Sequence, residues 1–195
     1  MAEPLENHEE EQFEEVAPDP QVEARRAAAL SLVRRFGDPI LKSRATTVDR
    51  FDDALGVQVA RMAGLLSDAL GVGLAAPQVG ISQRLLVYRL GSEAPLVALV
   101  NPEIEWSSEE RETLEEGCLS LPDVHVDVER PVHVRVEGRD ERGERRLVEA
   151  SGLEARVIQH EIDHLDGVLI VDRATRDQRR DAMRALREQR ESQAA

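Results

Sequence analysis

The chain has 195 residues with 39 acidic and 25 basic side chains, a formal charge of -14. That excess works against nonspecific attraction to nucleic-acid phosphates, DNA included, because counterion-releasing contacts need clustered cations. Forty-one per cent apolar residues support one packed domain, and no apolar run reaches the ~18 residues of a membrane-spanning helix.

Between Met1 and Ala24 there are nine acids and no Lys or Arg, with Pro4, Pro18 and Pro20 among them. Such a stretch buries too little surface to offset the entropy of ordering. Residues 1–30 are therefore assigned to an acidic, disordered tail and 31–195 to the folded domain, with a helical segment expected from Val22 to Arg35. The start, Met1-Ala2-Glu3-Pro4, carries acids where a secretory signal has basic residues and an apolar stretch, so a cytoplasmic address is expected.

After the break at Gly37-Asp38-Pro39, Leu55, Val59, Met62, Leu65, Leu66 and Leu70 repeat with helical spacing and predict a helix over 52–70. Short apolar runs at 84–90 and 96–100, bounded by Gly, Pro and Asn, predict strands. Val124, Val126 and Val128, then Val132, Val134 and Val136, alternate with period two on either side of Pro131. Arg139 to Gly143 predicts a hairpin turn into a strand near 145–150. A helix is expected over 153–165, with Ser151 as N-cap and Gly167 just past its end, and a last helix over about 173–193. Strands clustered between helices, without repeated βαβ units, predict an α+β domain.

The chemistry concentrates in His160-Glu161-Ile162-Asp163-His164. Helical positions four apart share a face, so His160 and His164 can offer nitrogens to one metal ion. Glu161 lies where a carboxylate takes a proton from an attacking water. A catalytic metal centre needs a third protein ligand. The candidates are Cys118, the sole cysteine, and the downstream acids Asp181 and Glu188; the arginine-rich surroundings of Glu188 read as a surface helix, which favours Cys118. Gly71-Val72-Gly73-Leu74-Ala75-Ala76-Pro77-Gln78 fails as a dinucleotide fingerprint, because Ala76 replaces the third glycine and no strand precedes it. Gln78 is the only polar side chain between Gly71 and Ile81, and its amide can donate to a carbonyl oxygen.

The stretches Gly73-Leu74-Ala75-Ala76-Pro77-Gln78, Glu116-Gly117-Cys118-Leu119-Ser120 and Gln159-His160-Glu161-Ile162-Asp163-His164 closely resemble, in order and spacing, the three motifs of the peptide deformylase family. The resemblance covers roughly 32–190. It implies small antiparallel sheets around a central metal-binding helix, followed by a C-terminal helix. It implies removal of the formyl group from the formyl-methionine of nascent polypeptides, with release of formate. Cys118, His160 and His164 would hold one divalent metal, Fe(II) in the cell, with Zn(II), Ni(II) or Co(II) able to replace it. Glu161 would move the proton, and Gln78 with the Leu119 N–H would stabilise the oxyanion.

Gly73 and Gly117 would pair with the peptide backbone, while Val72, Leu153, Val157 and the stem of Arg156 would border the methionine pocket. The arginines of the last helix (Arg173, Arg176, Arg179, Arg180, Arg184, Arg187, Arg190) suggest docking on the ribosome. Two positions depart from the family: His125, where a bacterial member has arginine, and Asp123, where glycine is common. Against this stand two other readings: a helix-based zinc endopeptidase, with Glu188 or Asp181 as third ligand, and a closed structural metal site.

Overall fold

The computed structural model describes residues 19–194; residues 1–18 of the acidic stretch lie outside them. Helix α1 (Pro20–Ser31) begins at Asp19, whose carboxylate accepts the Gln21 N–H at 2.8 Å, with proline in the first turn. It is the segment expected from Val22 to Arg35, ended early, and it corrects the tail assignment for the last third of residues 1–30. Helix α2 (Asp53–Asp68) is capped by Asp52 and buries Leu55, Val59, Met62, Leu65 and Leu66 of the face that the spacing predicted, whereas Leu70 falls beyond its end and is exposed.

Seven strands follow: β1 (Gly73–Ala75), β2 (Leu85–Tyr88), β3 (Val97–Ser107), β4 (Arg111–Cys118), β5 (Leu121–Pro131), β6 (His133–Arg139) and β7 (Arg145–Ser151). A five-stranded antiparallel sheet has the order β1-β2-β3-β6-β7, and β4 and β5 form a separate antiparallel ribbon. The continuous apolar run of β2 has a physical cause. Leu85 and Val87 face the cluster around α2, whereas Leu86 and Tyr88 face the opposite cluster, so both sides of the strand are covered.

That second cluster is filled by helix α3 (Gly152–Leu165), through Ala155, Ile158, Ile162 and Leu165 packed against Leu86, Leu99, Val134 and Val136. Fully buried side chains such as Ile158 and Leu165 each contribute about 1.5–3 kcal/mol. Strand β7 runs directly into α3 at Gly152, whose φ is +56. Ser151 occupies the N-cap position but does not cap: its hydroxyl is 2.8 Å from His133 Nδ1 across the sheet. Gly167 ends the helix as expected, with φ +73 and the Val168 N–H returning to the Asp163 carbonyl at 2.8 Å.

A short helix and a long one close the described part of the chain. Helix α4 (Ile170–Arg173) precedes α5 (Arg176–Ala194), where a single helix from about 173 was expected. Ala182 and Leu186 of α5 pack on Leu121, Val124, Val126 and Val128 of β5. No helix among the described residues is long and apolar enough to cross a membrane.

Candidate active site

Helix α3 presents its motif at the bottom of a cleft of about 600 Å³, walled by β1 on one side and the β4–β5 ribbon on the other. His160 and His164, one turn apart, stack edge to face with ring centroids 5.0 Å apart. Cys118, at the last position of β4, brings Sγ to 3.2 Å from His164 Nε2. The sulfur and one nitrogen of each histidine all lie within 4.8 Å of one another. The downstream acids lie apart from this cluster: Asp181 is tied to Arg184 at 3.2 Å on the exposed side of α5, and Glu188 is exposed on the same helix.

The electrostatics suit a cation. Burial alone would raise the Cys118 thiol, but His164 and His160 beside it hold it well below the ordinary thiol value, and the thiolate is the form that binds metals. Burial would likewise depress His160, yet Cys118 and Glu116 raise it well above the ordinary imidazole value. The donor set, one soft sulfur and two imidazole nitrogens, suits Fe(II), Zn(II), Ni(II) and Co(II), and three protein donors leave a position open for a reactant.

Around the trio the remaining motif residues take defined places. Glu161 is buried, its Oε2 has no hydrogen-bond partner among the described residues, and burial is the main cause of its raised pKa. The short 3-10 turn 76–79 carries Gln78. Its Oε1 accepts the Ala75 N–H at 2.8 Å, which leaves Nε2 directed at Ser120 Oγ (3.3 Å) and Cys118 Sγ (3.7 Å). Leu119 follows Cys118 on the cleft wall, and Val72, Gly73, Gly117, Leu153, Arg156 and Val157 also line the cleft. Gly73 lies on edge strand β1 and uses β2 as its only sheet partner.

Gly73 is also a spatial requirement, since a Cβ built there would stand 2.3 Å from Glu161 Oε1. Gly73→Ala is expected to displace the carboxylate and lower kcat by about a hundredfold, the cost of a ~1 Å misplacement of a reacting group. Steady-state assay beside a thermal melt checks this; unchanged kcat would refute it.

A profile of the polypeptide deformylase family matches residues 31–180. The chain belongs to the peptide deformylase family. Its members are metal-dependent hydrolases that remove the N-formyl group from nascent polypeptides. A peptide deformylase of Thermotoga neapolitana is 52% identical over 141 residues, covering 72% of this chain and 85% of that one. The Synechococcus elongatus peptide deformylase solved with actinonin is 45% identical with a TM-score of 0.75, over 78% of this chain and 84% of that one. The Plasmodium falciparum peptide deformylase is 35% identical with a TM-score of 0.78, over 84% and 98%.

The two departures from the family now have structural settings. Asp123 has φ +57, a left-handed conformation that glycine adopts freely and Asp tolerates. His125 lies across from Gly117 in the ribbon, with its ring 3.0 Å from where a Cβ on Gly117 would stand.

Sequence reasoning assigned no role to Glu116, although it opens the cysteine motif. Its Oε2 lies 2.9 Å from His160 Nδ1, and its carboxylate also accepts from Arg130 (2.6 and 2.9 Å) and Arg156 (2.8 Å). Arg130 reaches Asp163 at 2.8 Å, and Arg173 closes on the same carboxylate. A signal existed: Arg130 falls in phase with Val124, Val126 and Val128, a charged residue in a buried register. Arg26 and Leu30 of α1, also on the cleft wall, lacked any such signal.

Proposed function

We propose that this chain removes the formyl group from formyl-methionyl nascent polypeptides at the cleft of Cys118, His160 and His164, with Glu161 as general base and then general acid. The observation that carries the reading is the buried Glu161 carboxylate, with one oxygen unpartnered among the described residues, beside a thiol and two imidazoles that converge on one point. A merely structural metal site has no use for such a group.

Cys118, His160 and His164 would hold one divalent ion, which we assign as Fe(II) in the cell, with Zn(II), Ni(II) and Co(II) accepted by the same donors. Such an ion, when bound, supplies Lewis acidity, making water acidic near neutral pH and polarising a carbonyl oxygen. Glu161 takes the proton of the water that attacks the formyl carbon and returns it to the departing amine, so that formate and a free N-terminus result. Gln78 Nε2 and the Leu119 N–H donate to the formyl oxygen as it gains charge.

The peptide backbone adds to the edge of β1 at Gly73 and to Gly117 of the ribbon. Its methionine side chain enters between Val72, Leu153, Val157 and the aliphatic stem of Arg156, whose guanidinium is already bound to Glu116 and to the Val128 and Glu112 carbonyls.

The test is formate release from formyl-Met-Ala-Ser by anaerobically purified protein, with metal content measured on wild type and Cys118→Ala. Release by the wild type and loss of both metal and release in the variant are expected. Full metal occupancy in Cys118→Ala would instead favour the endopeptidase reading.

We further place the enzyme in the cytoplasm, acting on chains as they leave the ribosome. Arg176, Arg179, Arg180, Arg184 and Arg187 surround one hollow on the outer side of α5, which suits ribosomal RNA phosphates. Co-sedimentation with ribosomes that weakens steeply with salt, and fails when Arg180, Arg184 and Arg187 become Glu, is the expected result.

A further inference from the structure

Helix α1, but for its last residue, lies before residues 31–180 that the family profile matches, and the proposed chemistry makes no use of it. Its place is nevertheless fixed against the catalytic cleft. Ala29 and Val33 are buried, and Leu30 packs with Leu119 against the cluster that contains Leu66. Just beyond the helix, the Arg34 N–H donates to the Gln78 carbonyl at 2.7 Å and the Phe36 N–H to the Ser120 carbonyl at 2.9 Å. Arg26 stands one turn before Leu30 on the same helix face, and Arg26, Leu30 and Arg35 line the cleft together with Leu70, Gly71 and Val72. Neither Arg26 nor Arg35 has an ion-pair partner among the described residues.

The path of a peptide through this cleft follows from burial. At one end of β1, Leu74, Ala75 and Ala76 are wholly buried; at the other, Leu70 and Val72 are 65% and 48% exposed. A peptide paired at Gly73 with its formyl end near Cys118 therefore leaves past Val72 and Leu70, toward α1. Extended chains turn alternate side chains to opposite walls. The cleft lining carries Arg26 and Arg35 near α1, together with the acids Glu115 and Asp123 of the ribbon.

We propose that Arg26 and Arg35 form a cationic subsite selecting substrates with Asp or Glu at the third or fourth residue, on the side that faces α1. The proposal rests on the deformylase reading above. The metal-loaded full chain is assayed with formyl-Met-Ala-Xaa-Ser and formyl-Met-Ala-Ser-Xaa, Xaa being Asp or Lys. At one of the two positions kcat/KM is expected to favour Asp by about two- to fivefold per arginine at low salt, the range of exposed ion pairs, and less at 0.5 M salt, where the Debye length falls to about 4 Å.

In Arg26→Ala/Arg35→Ala the Asp-to-Lys ratio at that position is expected to fall to about one. Arg25→Ala, on an exposed residue outside the cleft lining, should retain it. Equal rates for Asp and Lys at both positions, or a preference that the double variant keeps, would overturn the proposal. Absence of formate from every peptide would instead sink the deformylase reading itself.

Discussion

Glu161→Gln is expected to lower kcat by about a thousandfold while one metal ion per chain is retained, because a positioned acid–base group is worth about 10²–10⁴ in rate. The amide matches the carboxylate in shape, so Gly73 still accommodates it and the Cys118, His160 and His164 donors are untouched. It can neither take the proton of the attacking water nor return one to the amine.

The same substitution makes a second, opposite demand on stability. Burial raises the pKa of Glu161, because the charged form of the carboxylate loses its solvation there and is the costly one to hold. Removing that charge should leave the melting temperature equal to or above that of the wild type. A rate loss with no stability loss separates a chemical role from a structural one. A Glu161→Gln protein that deformylates within tenfold of wild type would sink the assignment, and one that melts well below it would show the carboxylate to be structural.

How much of this arrangement the sequence discloses depends on whether a residue's role is local. The apolar face of α2, the i, i+4 histidine pair and the stop at Gly167 are set by neighbours a few positions away, and each is readable in the string. Strand β4 is not, because five of its first residues are exposed and their apolar content carries no period; it exists through its register with β5. Asn101-Pro102 reads as the end of a strand, but β3 continues to Ser107 through an irregularity there. Asn101 adopts φ +53, and its amide bridges both the N–H and the carbonyl of Val48, a partner 53 residues away. Ser151 is the reverse case: the local pattern for a cap is present, and a cross-strand histidine takes the hydroxyl instead.

Glu116→Ala should show how far the site depends on such distant partners, and its expected cost is about 3–5 kcal/mol of stability. The Glu116 side chain is 5% exposed and that of Arg130 3%. Burial alone would raise the Glu116 pKa, but Arg130 and His160 outweigh it and hold the carboxylate far below its ordinary range. Deletion leaves the Arg130 guanidinium with only Asp163, strips Arg156 of its carboxylate and frees the ring of His160. An uncompensated buried charge is the costly state, more so than an absent pair.

Metal affinity should fall as well, by about 10–100-fold, the usual effect of removing the partner that orients a ligating histidine. The two losses are separable. In Glu116→Met/Arg130→Met, apolar side chains replace one buried pair, and part of the stability should return, although Arg156 keeps only its carbonyl partners and Asp163 only Arg173. His160 would still lack its carboxylate, so affinity in a chelator competition should stay low. Recovery of stability without recovery of affinity would establish that Glu116 positions His160. Parallel recovery of both would mean that the weakened metal site had only reported a loosened fold.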